Sequence, residues 1–265
     1  MTTSTPTAPQ ASLLRRMRQK LLRGYSRLIV QREWDYKQTP IVIVNRNRLE
    51  YLRQQVSYLH DHGFTDITIL DNASSYPPLL RYYEQCPARV VRYADNLGHL
   101  VLWRSGYHRQ LRHRCFVYTD PDVVPIDTCP TDFIARFHEL MKKYTWADKV
   151  GFGLVTEDIP DNYDQKEKVL SIEGKTFIRT LEEGANQAWL DTTFALYAPN
   201  IPHSVGPRSI RTSGAYMAHH LPWYRSREDF TEEDHYYHQS CRPDCGFWTN
   251  LSHRGVEILA TPAPV

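Results

Sequence analysis

Residues 40–48 read PIVIVNRNR, a continuous β-branched run followed at once by polar residues. A strand buried on both faces of a parallel sheet has an uninterrupted apolar run of this kind, whereas a half-exposed strand alternates apolar and polar residues. Residues 49–62 then carry apolar side chains at helical spacing, and the pattern ends at Gly63, a residue type favoured after a helix C-terminus. This unit therefore predicts a buried strand with a polar end, followed by a helix.

The same plan recurs three times along the chain. Residues 67–70, 90–93 and 115–118 are predicted strands followed by polar loops, and helical patterns at 77–86 and 99–111 separate them. Strands that alternate with helices predict a mostly parallel sheet with helices on both faces. Ligands of such sheets bind beyond the carboxyl ends of the strands.

The second half of the chain has a less regular pattern. A helix is predicted over residues 131–144, and strand-like runs occur at 150–155, 177–180 and 188–197. Polar residues interrupt the last of these runs. No internal repeat or linker divides residues 33–265, so we expect one domain there.

Composition places the chain among globular proteins. With 265 residues, 41% hydrophobic and 23% charged, it can bury one large core without a metal or disulfide staple. Five cysteines, an odd number and mostly unclustered, favour a reducing compartment, and the pair Cys241 and Cys245 alone is too small a set for a zinc site. No run of about 18 apolar residues and no secretory signal is present, so we expect a cytoplasmic protein.

The N-terminal appendage concentrates positive charge. Residues 1–11 are rich in Thr, Pro and Ser, which predicts a disordered tail, and residues 12–32 predict a basic amphipathic helix. Residues 1–32 hold seven Lys and Arg and no acidic residue. Such a helix either lies on the anionic inner face of a membrane or packs on its own domain. A nucleic-acid arm is disfavoured, because the segment lacks aromatic platforms.

Two carboxylates follow the fourth strand. Asp120 and Asp122 flank Pro121, which favours an extended backbone and places both at one lip of the sheet. Hard oxygen ligands suit Mg²⁺ or Mn²⁺, and these ions suit a diphosphate. Acidic loop caps are common, so it is the position after a buried strand that favours a metal site.

Four stretches together resemble a known family. Residues 41–48, 67–75 (ITILDNASS), 95–98 (DNLG) and 116–125 (FVYTDPDVVP) are similar, in order and spacing, to the nucleotide-sugar half of a GT-A glycosyltransferase close to family 2. The resemblance implies a Rossmann-like GT-A domain after residue 32.

The resemblance also implies a division of that domain and a set of nucleotide contacts. Residues 33–130 would bind the nucleotide sugar and residues 131–265 the acceptor. Asn45 and Asn47 would touch the nucleotide. The set of contacts is completed by Asp71, which would accept hydrogen bonds from the base, and by Asn96 and Asp120. For Asp71 a turn-forming role remains the alternative.

The metal ligands and the general base follow from the same comparison. Asp122 would bind the metal directly, with Asp120 beside it, and a late histidine, His220, would close the site unless it is a core residue. The family's usual Glu-Asp pair is absent, so we take Asp191 as the base. Its apolar neighbours would raise its pKa, although it could instead cap a strand end; Glu157 and Asp158 are the rivals.

The expected function is transfer of a sugar from a nucleoside-diphosphate donor, UDP being the expected nucleotide. The acceptor would be a hydroxyl of a glycan or lipid-linked molecule in surface polysaccharide or glycolipid synthesis, and the transfer would invert the anomeric centre with Mn²⁺ or Mg²⁺ bound. A nucleotidyltransferase acting on sugar phosphates is the first alternative, disfavoured by the lack of a Gly-rich loop after the first strand. A non-catalytic carbohydrate-binding or scaffold protein at a membrane surface is the second.

Overall fold

The computed structural model describes residues 8–201 and 206–240. It shows an α/β structure whose helices and strands alternate over the first half of the chain. The helices are α1 (Ala8–Val30), α2 (Glu50–Asp61), α3 (Pro77–Tyr83), α4 (Val101–Arg104), α5 (Phe133–Lys143), α6 (Lys166–Thr176) and α7 (Glu232–Ser240). The strands are β1 (Ile41–Asn45), β2 (Ile67–Asn72), β3 (Arg89–Tyr93), β4 (Phe116–Thr119), β5 (Val123–Pro125), β6 (Lys149–Gly151), β7 (Gly153–Leu154), β8 (Phe177–Glu182), β9 (Ala185–Ala188), β10 (Ala195–Tyr197), β11 (Ser209–Thr212) and β12 (Met217–His220).

Nine strands form the central sheet in the order β3-β2-β1-β4-β10-β6-β11-β9-β8. The first four are parallel to one another, as the repeated strand–helix units predict. Beyond β4 the sheet is mixed, because β10 runs antiparallel to both β4 and β6, and the β8–β9 hairpin closes the far edge. The predicted α/β class is confirmed, and the parallel arrangement covers the nucleotide-binding half that the sequence predicts.

A second, three-stranded sheet joins β5, β12 and β7. This sheet brings the late strand β12 next to β5, which follows β4 directly. The two strands pair antiparallel, and His220 lies opposite Val123. Residues 150–155 thus form two short strands in two different sheets, where the sequence predicts a single strand.

The core lies on both faces of the sheet. Every residue of β1 is buried, with Ile41 and Ile43 in a cluster that includes α2 and α5. Val42 and Val44 pack into a smaller cluster with α4 on the other face. This alternation explains the unbroken apolar run in the sequence, since both faces of the strand need apolar side chains.

Three further elements differ from the expectation. The helix predicted over residues 99–111 is divided into α4 and a 3₁₀ helix, Tyr107–Leu111, because Gly106 adopts a left-handed backbone with φ of 80°. Helix α6 precedes the β8–β9 hairpin, and α7 comes at the end of the described chain; the sequence pattern predicts neither.

Helix α1 begins at Ala8, so residues 8–11 are helical, contrary to the predicted disorder; residues 1–7 lie outside the described part. Its C-terminal end packs on the domain. Ser26, Ile29 and Val30 are buried, and the Val30 carbonyl oxygen lies 2.6 Å from His138 Nε2 of α5. One face of α1 therefore packs on the chain's own domain, which was one of the two alternatives for this helix. Over residues 8–201 and 206–240, no helix combines the length and the apolar character needed to cross a bilayer.

Candidate active site

A cleft of about 640 Å³ opens where β1, β2 and β4 end. This edge of a parallel sheet is where α/β proteins usually bind ligands. One group of lining residues comes from the loops after these strands, and another comes from α6, β11 and the segment after β9. The polar and aromatic lining residues include Arg46, Arg48, Asn72, Asn96, Asp120, Asp122, Glu173, Trp189, Asp191, Arg211 and His220.

Asp120 is held against the segment that precedes β10. Its Oδ2 accepts a hydrogen bond from Thr192 Oγ1 at 2.6 Å, and its backbone N–H donates to the Thr192 carbonyl oxygen at 3.1 Å. Gln55 of α2 supports the same turn, because its Nε2 donates to the Asp120 carbonyl oxygen at 3.0 Å. Burial, with the charges of Asp122 and Asp191, raises the pKa of Asp120 well above its usual value, and the Thr192 hydroxyl opposes this.

Strand β12 brings His220 to Asp122. The backbone N–H of Leu221 donates to the Asp122 carbonyl oxygen at 2.9 Å, and His220 Nε2 lies 3.7 Å from Asp122 Oδ1. That carboxylate oxygen is buried and has no hydrogen-bond partner within the described part of the chain. Burial lowers the pKa of His220, which favours a neutral imidazole at neutral pH, the form that can bind a metal.

Asp120, Asp122 and His220 fit a divalent cation that takes most of its ligands from water and from a bound substrate. Over the described ranges, no group of three or more His, Cys, Asp or Glu side chains is arranged to hold a metal ion, so Asp120, Asp122 and His220 do not form a preformed three-ligand site. Mg²⁺-type sites often use one or two carboxylates and fill the remaining positions with water and substrate phosphates. The unpartnered Asp122 oxygen suits that arrangement.

Asn45 and Asp71 support the loops beside the cleft and are not among its lining residues. Asn45 Nδ2 donates to Tyr83 Oη at 2.9 Å, and Tyr83 Oη donates to Asp71 Oδ1 at 3.0 Å. Asp71 Oδ2 accepts from Arg92 Nε at 3.1 Å and from the backbone N–H of Ser74. Both carboxylate oxygens of Asp71 are therefore engaged within the protein, and one of these bonds, from the Ser74 N–H, lies within the turn that follows β2. The base contact stays a prediction.

Asn47 likewise stabilises backbone. It is fully buried, and its Oδ1 accepts from the N–H groups of Ser75 and Tyr76 at 2.7 and 3.0 Å. Its Nδ2 donates to Ser240 Oγ at 2.8 Å. Asn47 thus connects the first two strand ends to the end of α7, and its nucleotide contact stays a prediction.

Asn96 does reach the cleft, together with Asn72, which the sequence reasoning did not single out. Asn72 Nδ2 donates to Asn96 Oδ1 at 2.8 Å, and Asn72 Oδ1 accepts from the backbone N–H of Leu97 at 2.6 Å. Asn96 Nδ2 is buried and has no hydrogen-bond partner in the residues described. An amide donor of this kind is available to a ligand.

Two arginines at the end of β1 also line the cleft. Arg46 Nη1 donates to the carbonyl oxygens of Asn72 and Ala73 at 3.0 and 2.8 Å. Arg48 Nη1 lies 2.6 Å from Asp234 Oδ1, and its guanidinium stacks over Tyr237 at 3.8 Å from the ring centre. The signal for both was present in the polar run that follows β1.

Asp191 lines the cleft from the far half of the sheet. Its side chain is exposed, so the expectation that apolar neighbours surround it is wrong. Leu190 and Phe194, the apolar residues near it in sequence, are fully buried in the core. Lys149 fixes the backbone of this segment, because its Nζ donates to the Asp191 carbonyl oxygen at 3.2 Å. Asp191 is therefore a solvated carboxylate on a fixed backbone.

The rival bases lie elsewhere. Asp158 accepts a hydrogen bond from Tyr224 Oη at 2.6 Å, and its Oδ2 lies 3.1 Å from His219 Nε2. Neither Asp158 nor the exposed Glu157 is among the residues that line the cleft. Cys241 and Cys245 fall outside the described residues.

No protein-family model and no curated protein matches the chain. Solved structures similar to it include GalNAc-T7 crystallised with UDP, GalNAc and Mn²⁺, at 13% identity and a TM-score of 0.38 over 61% of this chain and 35% of that one. Another is glucosyl-3-phosphoglycerate synthase from Mycobacterium tuberculosis in complex with phosphoglyceric acid, at 13% identity and a TM-score of 0.37 over 63% of this chain and 62% of that one.

Both neighbours are GT-A fold glycosyltransferases. The matched region spans less than two thirds of either of them. Likeness at this distance carries no argument about the reaction, so function is argued from the residues of the cleft.

The buried ammonium of Lys149 predicts an alkaline rise in stability. Burial lowers the pKa of Lys149 to about 8, whereas an exposed lysine has a pKa of about 10.4. Between these values the unfolded chain binds more protons than the folded one, so the free energy of unfolding rises with pH. Relative to Lys149→Met, the wild type should gain about 3 kcal/mol over that interval. Urea unfolding of both proteins across this range measures the gain, and a difference that does not change with pH would contradict it.

Proposed function

We propose that the chain is a glycosyltransferase that moves a sugar from a nucleoside-diphosphate donor, UDP being the expected nucleotide, to a hydroxyl of a glycan or lipid-linked acceptor. One observation carries the proposal. Beside Asp120, a buried oxygen of Asp122 lacks a hydrogen-bond partner in the described chain, and so does the buried Nδ2 of Asn96, another residue that lines the cleft at this sheet edge. Unpaired buried polar atoms are costly, and a ligand would satisfy both.

The donor's diphosphate would lie between these groups. Asn96 Nδ2 would donate to the nucleotide, while Asp122 with Asp120 and His220 would hold Mn²⁺ or Mg²⁺. When bound, the cation would offset the charge that builds on the leaving diphosphate. It would also reduce the repulsion that raises the pKa of Asp120.

Asp191 would act on the acceptor side. Of the three carboxylates considered as base, it is the one that lines the cleft. A base removes a proton from the acceptor hydroxyl as that oxygen attacks the sugar from the face opposite the diphosphate, so the transfer inverts the anomeric centre. The acceptor would belong to surface polysaccharide or glycolipid synthesis.

Removing the charge of Asp122 tests the metal site. In Asp122→Asn, UDP binding measured by isothermal titration should lose its dependence on Mn²⁺, because the amide is a much weaker ligand than a carboxylate. Release of UDP from UDP-sugars should fall in parallel, and EDTA should reproduce the loss in the wild type. Asp158→Asn, a carboxylate outside the cleft, is the matched control. UDP binding that ignores both EDTA and Asp122→Asn would overturn the metal assignment.

Asp191→Asn tests the base. It should lower kcat by about 10²–10⁴-fold and leave UDP affinity nearly unchanged, because the amide keeps the size of the side chain and cannot accept the proton. Glu157→Gln serves as the comparison. If Glu157→Gln loses the activity and Asp191→Asn retains it, the base is Glu157.

We further propose that α1 attaches the enzyme to the inner face of a membrane. Met17, Leu21 and Leu28 are 55%, 74% and 67% exposed, and their spacing puts them on one stripe of the helix, apart from the buried Ile29 and Val30. The segment carries basic residues and no acidic ones, which matches an anionic lipid surface. A cytoplasmic enzyme held there would meet a lipid-linked acceptor.

Point variants test this attachment better than a deletion of residues 1–32, which would also remove buried Ile29 and Val30. The full chain should co-sediment with vesicles containing phosphatidylserine, less so as salt rises, because screening acts over about 8 Å at physiological ionic strength. Leu21→Glu combined with Leu28→Glu should abolish co-sedimentation, since it places charge on the inserting stripe. Leu170→Glu, which changes a leucine of α6 that is 42% exposed, should not. Full-length protein that ignores the vesicles at low salt would contradict the proposal.

A further inference from the structure

Trp189 is an exposed indole on the wall of the cleft. Its side chain is 46% exposed, and it belongs to neither of the two buried apolar clusters. Single exposed apolar side chains are common on protein surfaces, so the exposure of Trp189 becomes informative through its position on the cleft wall. Its place among the cleft-lining residues points to a ligand.

The backbone of Trp189 is fixed on both sides. Its N–H donates to the Thr176 carbonyl oxygen at 2.8 Å, and its carbonyl oxygen accepts from Arg211 Nε at 2.8 Å. Arg211 is itself buried and paired with Glu173 of α6. The indole is therefore presented from a rigid frame, and binding against it would cost little ordering of the backbone.

The position of Trp189 separates it from the donor side. It follows β9, in the far half of the sheet, and comes two residues before Asp191. Asn96, the group assigned to the nucleotide, lies on the loop after β3 and accepts a hydrogen bond from Asn72 at the end of β2. Asp120 and Thr192 join at the boundary between the two halves. A molecule lying against Trp189 would present a hydroxyl toward Asp191.

We propose that Trp189 is the platform on which the acceptor's terminal sugar ring stacks; this rests on the glycosyltransferase function proposed above. One face of a pyranose ring presents C–H groups, which pack on the electron-rich face of an indole, while the hydroxyls around the ring edge remain free for hydrogen bonds. Asp191 and Thr193 offer oxygen atoms for such bonds on the same wall. The acceptor class is therefore a glycoside.

A fluorine label on tryptophan tests the platform without any nucleotide. The chain has six tryptophans; 5-fluorotryptophan is incorporated, and Trp189→Phe identifies the resonance of residue 189. The methyl pyranosides of glucose, galactose, mannose and N-acetylglucosamine are the probes. At least one should shift that resonance saturably, whereas sorbitol, which has similar hydroxyls and no ring face, should not. Absence of a saturable shift with all four, or an equal shift with sorbitol, would overturn the proposal.

Steady-state measurements then place the platform on the acceptor side. The glycoside that shifts the resonance should stimulate UDP release from UDP-sugars, and Trp189→Ala should raise the concentration needed for half-maximal stimulation by about tenfold. Phe177→Ala removes a similarly exposed aromatic residue of β8 that is not among the cleft-lining residues, and it should leave that concentration unchanged.

Two other outcomes have distinct meanings. If Trp189→Ala weakens UDP binding and leaves the glycoside response intact, the indole stacks on the nucleobase and the acceptor assignment is wrong. If the wild type binds a glycoside at Trp189 but neither binds nor releases UDP, the sugar platform stands and the proposed transferase function fails.

Discussion

The contact between Asp120 and Thr192 joins the two halves of the molecule at the cleft. One carboxylate oxygen and one backbone N–H of Asp120 bond to the same threonine, so the end of parallel strand β4 is held to the segment that leads into antiparallel β10. Everything assigned to a donor lies on the β4 side of this contact. Asp191 and Trp189 lie on the other side. The register between β4 and β10 therefore sets how the two sides of the cleft face one another.

Electrostatic repulsion is built into this junction. Asp120 is half-buried close to two other carboxylates, Asp122 and Asp191, and desolvation together with their charges raises its pKa. The Thr192 hydroxyl and the Gln55 amide hold the turn in place against this repulsion, by bonds to a carboxylate oxygen and to a carbonyl oxygen. An arrangement that concentrates negative charge in a partly buried place is costly for folding, and such costs are typical of sites that bind a cation.

The first half of the fold could be predicted because each of its elements has a local signature. A strand buried on both faces is largely apolar, and β1 and β2 are so up to Val44 and Leu70, where their polar ends begin. The second half could not be, because its strands are two to six residues long and pair with partners distant in sequence. Buried Lys149 in β6 shows the difficulty: its charge is tolerated only through contacts that form after folding.

The sequence identifies the polar loops of the site, and backbone conformation decides which of their side chains reach the cleft. The alternation of strand side chains stops within residues 45–48, because β1 ends at Asn45 and Asn47 has a left-handed backbone with φ of 51°. The sequence shows four polar residues and does not show which pair faces the cleft. The structure gives the cleft to the arginines and uses the asparagines to stabilise loops. Asp120 and Asp122 could be singled out because they directly follow the buried strand β4, although residues 121–122 form a turn and not the extended backbone expected around Pro121.

Helix α7 completes the wall because Arg48 needs a counter-charge. A buried guanidinium without a partner would be strongly destabilising, and Asp234 supplies that partner while also pairing with Arg225. The adjacent Glu233 accepts from the N–H groups of Leu49 and Glu50, which places a carboxylate at the N-terminus of α2. With α7 docked in this way, Tyr237 stacks on the guanidinium and lines the cleft. The charge that one loop brings to the site therefore determines where a helix almost 190 residues later must lie.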